Sequence, residues 1–124
     1  MPQIAAIALG GAVGALLRFW AATGVYQWLG RDFPWGTLAV NVVGSFLMGV
    51  LIVLFLERSM VSPEARAAVL VGGLGAFTTF STFSIETVTL IEQAYYLRAF
   101  VNALTSVALC LLACWVGVIL GRTL

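Results

Sequence analysis

Apolar residues along this chain come in four long runs separated by short polar turns, each run long enough for the roughly 20 residues that a helix needs to cross a bilayer. The first covers residues 4–29, carries Arg18 inside it, and stops at Gly30, Arg31 and Asp32 ahead of Pro34. The second covers 35–56 and is stopped by Glu57, Arg58 and Ser59. The third covers 64–92. It opens on Ser62, Pro63 and Glu64, a helix start with serine at the cap and proline at the first position. The fourth covers 99–120, before the tail Gly121, Arg122, Thr123, Leu124. Trp20, Trp28, Trp35, Tyr95 and Tyr96 fall near expected ends, where amphipathic rings sit at headgroup level. The pattern predicts an all-α integral membrane protein, one four-helix domain over residues 1–124, with both termini on one side.

Composition agrees, since 62% of the residues are hydrophobic and 9% charged, which leaves too little polar surface to cover a soluble globule. The net charge of +1 comes without a run of either sign, so nothing recruits nucleic acid. The amino terminus enters its apolar run without a basic leader, which reads as a first span and not a signal peptide, and suggests a plasma membrane or bacterial inner membrane. Arg58, Arg66 and Arg122 fall on the terminal side and Arg18, Arg31 and Arg98 on the other. A chain without arginine bias can insert both ways up, which permits an antiparallel dimer about a two-fold axis in the membrane plane. Gly10 and Gly14, Ser45 and Gly49, and Gly117 and Gly121 are spaced for close helix contact. Cys110 and Cys114, with no histidine or carboxylate companions, read as packing residues.

The third run departs from an ordinary lipid-facing helix, because Gly72, Gly73 and Gly75 lead into Thr78, Thr79, Ser81, Thr82 and Ser84 interleaved with Phe77, Phe80 and Phe83. Three glycines in four residues weaken a helix, so a break is expected near residues 75–79. At membrane depth a break survives only where its freed backbone finds protein, water or an ion. Freed carbonyls would favour a cation, and the amides opening the second half an anion. The competing reading is a continuous helix whose glycines only allow close packing, with hydroxyls bonded back to their own carbonyls. Thr37, Asn41, Ser45 and Gly49 make a polar stripe on the second run; Asn102, Ser106 and Cys110, with Thr105 beside them, make one on the fourth. Such stripes serve either interhelical hydrogen bonds or the walls of a narrow polar path. There is no His or Lys, and the deepest acid is Glu86, near the end of its run. A proton-coupled pump usually wants a titratable group at midplane. Arg18 either snorkels to the interface or holds an aqueous vestibule positive. No nucleophile with a base, paired carboxylates or metal cluster is present, which argues against an enzyme.

These residues resemble the Fluc, or CrcB, family of small dual-topology fluoride channels. The likeness covers essentially the whole chain. It rests on Gly10 to Ala15 with Arg18 in the first helix, on Gly36 to Ser45 in the second, and on Gly75 to Ser84 with Glu86 in the third. The resemblance implies a fluoride-selective passive channel, assembled as an antiparallel homodimer with two pores, that exports fluoride from the cytoplasm. It implies a structural sodium ion at the dimer centre, held by the backbone carbonyls of Gly75 and Thr78. It also implies that Phe80 and Phe83 set ring edges along the pore, that Asn41 donates from its amide, and that Arg18 stands in the entrance. Ser81, Thr82 and Ser84 match the family's hydroxyl string, and Ser106 falls on the polar stripe of the fourth helix. A small multidrug-type dual-topology transporter would need an acid in the first span, which has none. A noncatalytic membrane assembly subunit would use the same stripes without passing ions.

Overall fold

Several helix ends have a local cause. The computed structural model describes residues 2–124, and all the regular structure among them is helical. Four helices are long and apolar enough to cross a membrane: α1 (Pro2–Leu29), α2 (Trp35–Glu57), α3 (Pro63–Glu92) and α4 (Tyr96–Thr123). The 28 residues of α1 reach roughly 42 Å at 1.5 Å per residue, past a hydrocarbon core of about 30 Å. Its stop is Gly30, which takes a left-handed φ of +84° and donates its N–H to the Tyr26 carbonyl at 2.9 Å. At the start of α3 the Ser62 hydroxyl accepts the Ala65 N–H at 3.2 Å, with Pro63 in the first turn. The start of α4 lies at Tyr96, three residues before the sequence expectation. The turn ahead of it closes within residues 93–95: Ala94 takes φ 64°, and the Tyr95 N–H reaches back to the Leu90 carbonyl at 2.8 Å.

Winding is uneven in the middle of the chain. The last turn of α2, Val53–Glu57, is π-helical, and so is Ala67–Leu74 in α3. Gly72 and Gly73 lie inside that π stretch and remain wound, and Gly75–Phe77 is an ordinary α turn. Thr78 (φ −91°, ψ 159°) and Thr79 (φ −154°, ψ 120°) then take extended dihedrals, and helix resumes over Phe80–Glu92.

Glycines set the helix pairs. A Cβ at Gly10 would collide with the Ala68 carbonyl, one at Gly14 with that of Gly73, and one at Gly72 with that of Ile7, so α1 lies against the first half of α3 backbone to backbone. In the same way Gly49 meets the Cys114 carbonyl and Gly117 that of Phe46, which joins α2 to α4. Lipid supplies no hydrophobic drive between helices, so close approach of this kind does much of the holding. Val40, Val53 and Asn102 are the most deeply buried side chains, whereas Leu9, Trp20, Phe100, Leu111 and Trp115 stand outside, where hydrocarbon is their solvent. Asn102 donates to the Thr87 hydroxyl at 2.9 Å and accepts from Ser106 at 3.3 Å, so this part of the α4 stripe does make the interhelical bond considered above. At the far end, Arg122 pairs with Glu57 at 3.1 Å and Arg58 donates to the Arg122 carbonyl at 3.0 Å, tying the ends of α2 and α4 together.

Candidate functional site

Two extended residues inside an apolar helix raise a hydrogen-bond question that the surrounding side chains answer. The regular ladder ends with the Thr78 N–H on the Leu74 carbonyl at 3.1 Å. The next residue is held from α2: the Thr79 N–H donates to Asn41 Oδ1 at 2.7 Å, and Asn41 Nδ2 donates back to the Thr79 carbonyl at 2.9 Å. The Asn41 amide thus presents one acceptor and one donor to a single residue, as a neighbouring strand would. Gly44, one turn further along α2, leaves room for the Thr78 methyl, which a Cβ there would strike. The Thr79 hydroxyl caps the second half of α3. It accepts the Thr82 N–H at 3.2 Å, donates to the Thr82 hydroxyl at 3.1 Å, and lies 3.3 Å from the Ser81 hydroxyl.

Interrupting a helix frees carbonyls on one side and amides on the other. With the Thr79 N–H committed to Asn41, the Gly75 carbonyl has lost its fourth-neighbour donor. Phe80 and Ser81 open the second half with N–H groups ahead of the capped one at Thr82. The Arg18 guanidinium comes to the Thr78 carbonyl at 3.5 Å, a long contact that brings positive charge to the break. One short stretch therefore offers oxygens suited to a cation and N–H groups suited to an anion.

Beside the break runs a groove of about 430 Å³ between α2, the second half of α3, and α4. Of the residues singled out in the sequence, Asn41, Thr78, Phe80, Phe83 and Ser106 line it together, with Ser45 and Cys110 from the two stripes. The Phe80 and Phe83 rings lie 5.3 Å apart at 42°, and Phe80 is 76% exposed in the single chain. The others stand apart from this lining. Arg18 lies at the Thr78 carbonyl, Gly75 is within the wound segment, Ser81 and Thr82 gather round the Thr79 hydroxyl, and Ser84 donates to the Phe80 carbonyl at 3.0 Å. For Ser84 this is the back-bonding that a helical serine commonly makes.

Sequence reasoning missed two parts of the arrangement. Thr79, one of five similar hydroxyls in the string, is the residue that α2 grips. The other part is a polar cluster in which the Tyr26 hydroxyl donates to Glu86 Oε2 at 2.8 Å and lies 3.4 Å from the Thr37 hydroxyl. Glu86 Oε1 is buried without a partner, and Tyr26, Glu86, Arg31 and Asp32 border a second cavity of about 320 Å³. The spacing of Tyr26, Thr37 and Glu86 along the chain carries no periodic signal that would have joined them.

Comparison with known proteins adds independent findings. Residues 5–118 match the family model described as CrcB-like protein, Camphor Resistance (CrcB). A protein of Magnetococcus marinus is 56% identical over 120 residues, covering 97% of this chain and 98% of the relative. One of Geobacter sulfurreducens is 50% identical over 124 residues, with 100% of both covered. One of Methylococcus capsulatus is 62% identical over 119 residues; there 96% of this chain matches, and the chain spans about half of the relative, 52% of its length. All three relatives bear the name fluoride-specific ion channel FluC.

Proposed function

The chain belongs to the CrcB-like family, and from that premise we propose that it is a passive, fluoride-selective channel that drains fluoride from the cytoplasm. It is a multi-pass membrane protein, and it is not an enzyme, because its relatives are ion channels. The observation that carries the reading is the groove at the Thr78–Thr79 break, where the lining polar groups are neutral: the Asn41 amide, the hydroxyls of Ser45, Thr78, Thr79 and Ser106, and two phenyl rings.

Fluoride is small and holds its water tightly, so a path must replace those hydrogen bonds without trapping the ion. Neutral donors suit this better than a cation, since conduction needs weak, repeated sites. Asn41 spends one amide N–H on the Thr79 carbonyl and keeps a second to offer. The phenyl edges of Phe80 and Phe83 carry partial positive charge and no lone pair to repel an anion. Ser81, Thr82 and Ser84 extend the path along the second half of α3, and Arg18 draws anions toward the break from the entrance side. Fluoride that enters a cell as the neutral acid is released as the ion at cytoplasmic pH and leaves down its electrical gradient. No energy source is needed.

The working unit in this reading is an antiparallel homodimer in a plasma or bacterial inner membrane, with a second copy covering the exposed Phe80 face. A sodium ion at the centre would take the carbonyls of Gly75 and Thr78 from both copies, because one chain offers too few oxygens for an alkali cation. The donor set fits, with the condition that Arg18 withdraws from the Thr78 carbonyl it now reaches. Fluoride efflux from liposomes containing this protein alone, with chloride as control, tests the proposal. Fast fluoride efflux with negligible chloride efflux is expected. Equal rates for the two ions would refute selectivity, and dependence on a proton gradient would replace the channel with a transporter.

A further inference from the structure

We propose that Cys110 and Cys114 of α4, with Met48 of α2 lining the same groove, form a chelating site for a soft d10 dication of the class of Hg(II). Both cysteines are free and half-buried, and all three sulfurs belong to residues lining the groove beside the break. In a continuous α-helix, residues four apart hold their Cβ atoms about 5–6 Å from one another on the same face. A linear S–metal–S unit spans about twice a metal–thiolate bond of about 2.3 Å, within reach of two such side chains after small rotations. Cys110 and Cys114 occupy such a pair of positions in the unbroken α4.

Ligand chemistry narrows the class. Thiolate and thioether are soft donors, which select soft cations over magnesium or calcium. No carboxylate or imidazole lines this groove, and no cluster of three or more His, Cys, Asp and Glu side chains occurs among the described residues. Charge narrows it further. When Hg(II) binds, each thiol releases its proton to water and the two thiolates balance the dication, leaving a neutral complex at membrane depth. A harder dication would gain little from these sulfurs and would lose its hydration shell. Packing alone asks only for small apolar side chains at both positions, and does not call for a third sulfur-bearing residue in the same lining.

The chelate itself needs only the groove. Its effect on transport rests on the fluoride-channel reading, under which a metal on this wall obstructs the path. Mercuric chloride is the probe, titrated into the full-length protein in detergent, with the free thiols counted by maleimide labelling and mass spectrometry. One ion per chain is expected to shield both thiols. Cys110→Ala or Cys114→Ala should each raise the mercury concentration that shields the remaining thiol by about a hundredfold, because one arm of the chelate is gone. Met48→Leu, which leaves both thiols, should have a smaller effect. Shielding in either single variant as tight as in the wild type would overturn the site, as would one ion per two chains, which is a bridge between copies. In liposomes, mercury should stop fluoride efflux reversibly with dithiothreitol, and the double alanine variant should keep its own mercury-free rate, whatever that rate is, when mercury is added. Chelation without block supports the site and removes this wall from the fluoride path; normal efflux without chelation overturns the site and leaves the channel.

Discussion

Asn41→Leu tests the site most directly, because it keeps the approximate volume of the side chain and removes both bonds to Thr79 at once. The Thr79 N–H and carbonyl now meet Asn41 at 2.7 and 2.9 Å, and Thr79 is buried. Each buried backbone group left unpaired costs about 1–3 kcal/mol, so the pair should cost about 2–6 kcal/mol if the break keeps its shape. The break has one escape, which is to wind Thr78 and Thr79 back into helix; the measured loss is then smaller, but the groove is deformed. Fluoride efflux is therefore expected to collapse in either case, while thermal unfolding in detergent reports which response the chain has chosen. Asn41→Asp separates the donor from the acceptor. A carboxylate still accepts the Thr79 N–H but turns a second oxygen toward the Thr79 carbonyl, where the amide used to donate. Stability should fall at neutral pH and recover in acid, where a protonated carboxyl again has one donor and one acceptor, like the amide. An Asn41→Leu protein that melts within about 1 kcal/mol of the wild type and conducts fluoride at the wild-type rate would refute the reasoning.

Phe80→Ile and Phe83→Ile should each slow efflux by up to roughly tenfold, since a phenyl edge is worth about 0.5–1.5 kcal/mol to a partner. A melting curve beside the liposome flux separates the loss of a ring edge from a loss of stability. Gly14→Ala puts a methyl group into the Gly73 carbonyl, a backbone atom that cannot turn aside, and should destabilise by about 1–3 kcal/mol in a denaturation series. Ala94→Gly should stabilise by up to about 1 kcal/mol in the same series, because Ala94 sits at φ 64°, where a Cβ is penalised.

The spans, their turns and the helical character of the described residues were legible in the sequence because each depends on neighbours in the chain. Twenty apolar residues cross a bilayer whatever lies beside them, and Ser62 caps Ala65 three residues on. The third helix is where local information runs short. Glycine was read as the weakness, yet Gly72 and Gly73 stay wound and face α1, while the extended residues are the threonines that follow. Propensity ranks glycine as a poor helix former. It says nothing about a neighbouring backbone that only glycine can admit.

What the amino-acid order decided alone was where the chain lies in lipid and which residue types reach its middle. The tertiary structure decided their partners. Asn41 and Thr79 are 38 positions apart, and Tyr26 and Glu86 are 60 apart. Whether either pair meets depends on the rotation and crossing of two helices. Periodicity tells which residues share a face of one helix; only packing determines what that face confronts, and therefore whether a polar group there holds the backbone or is left for an ion.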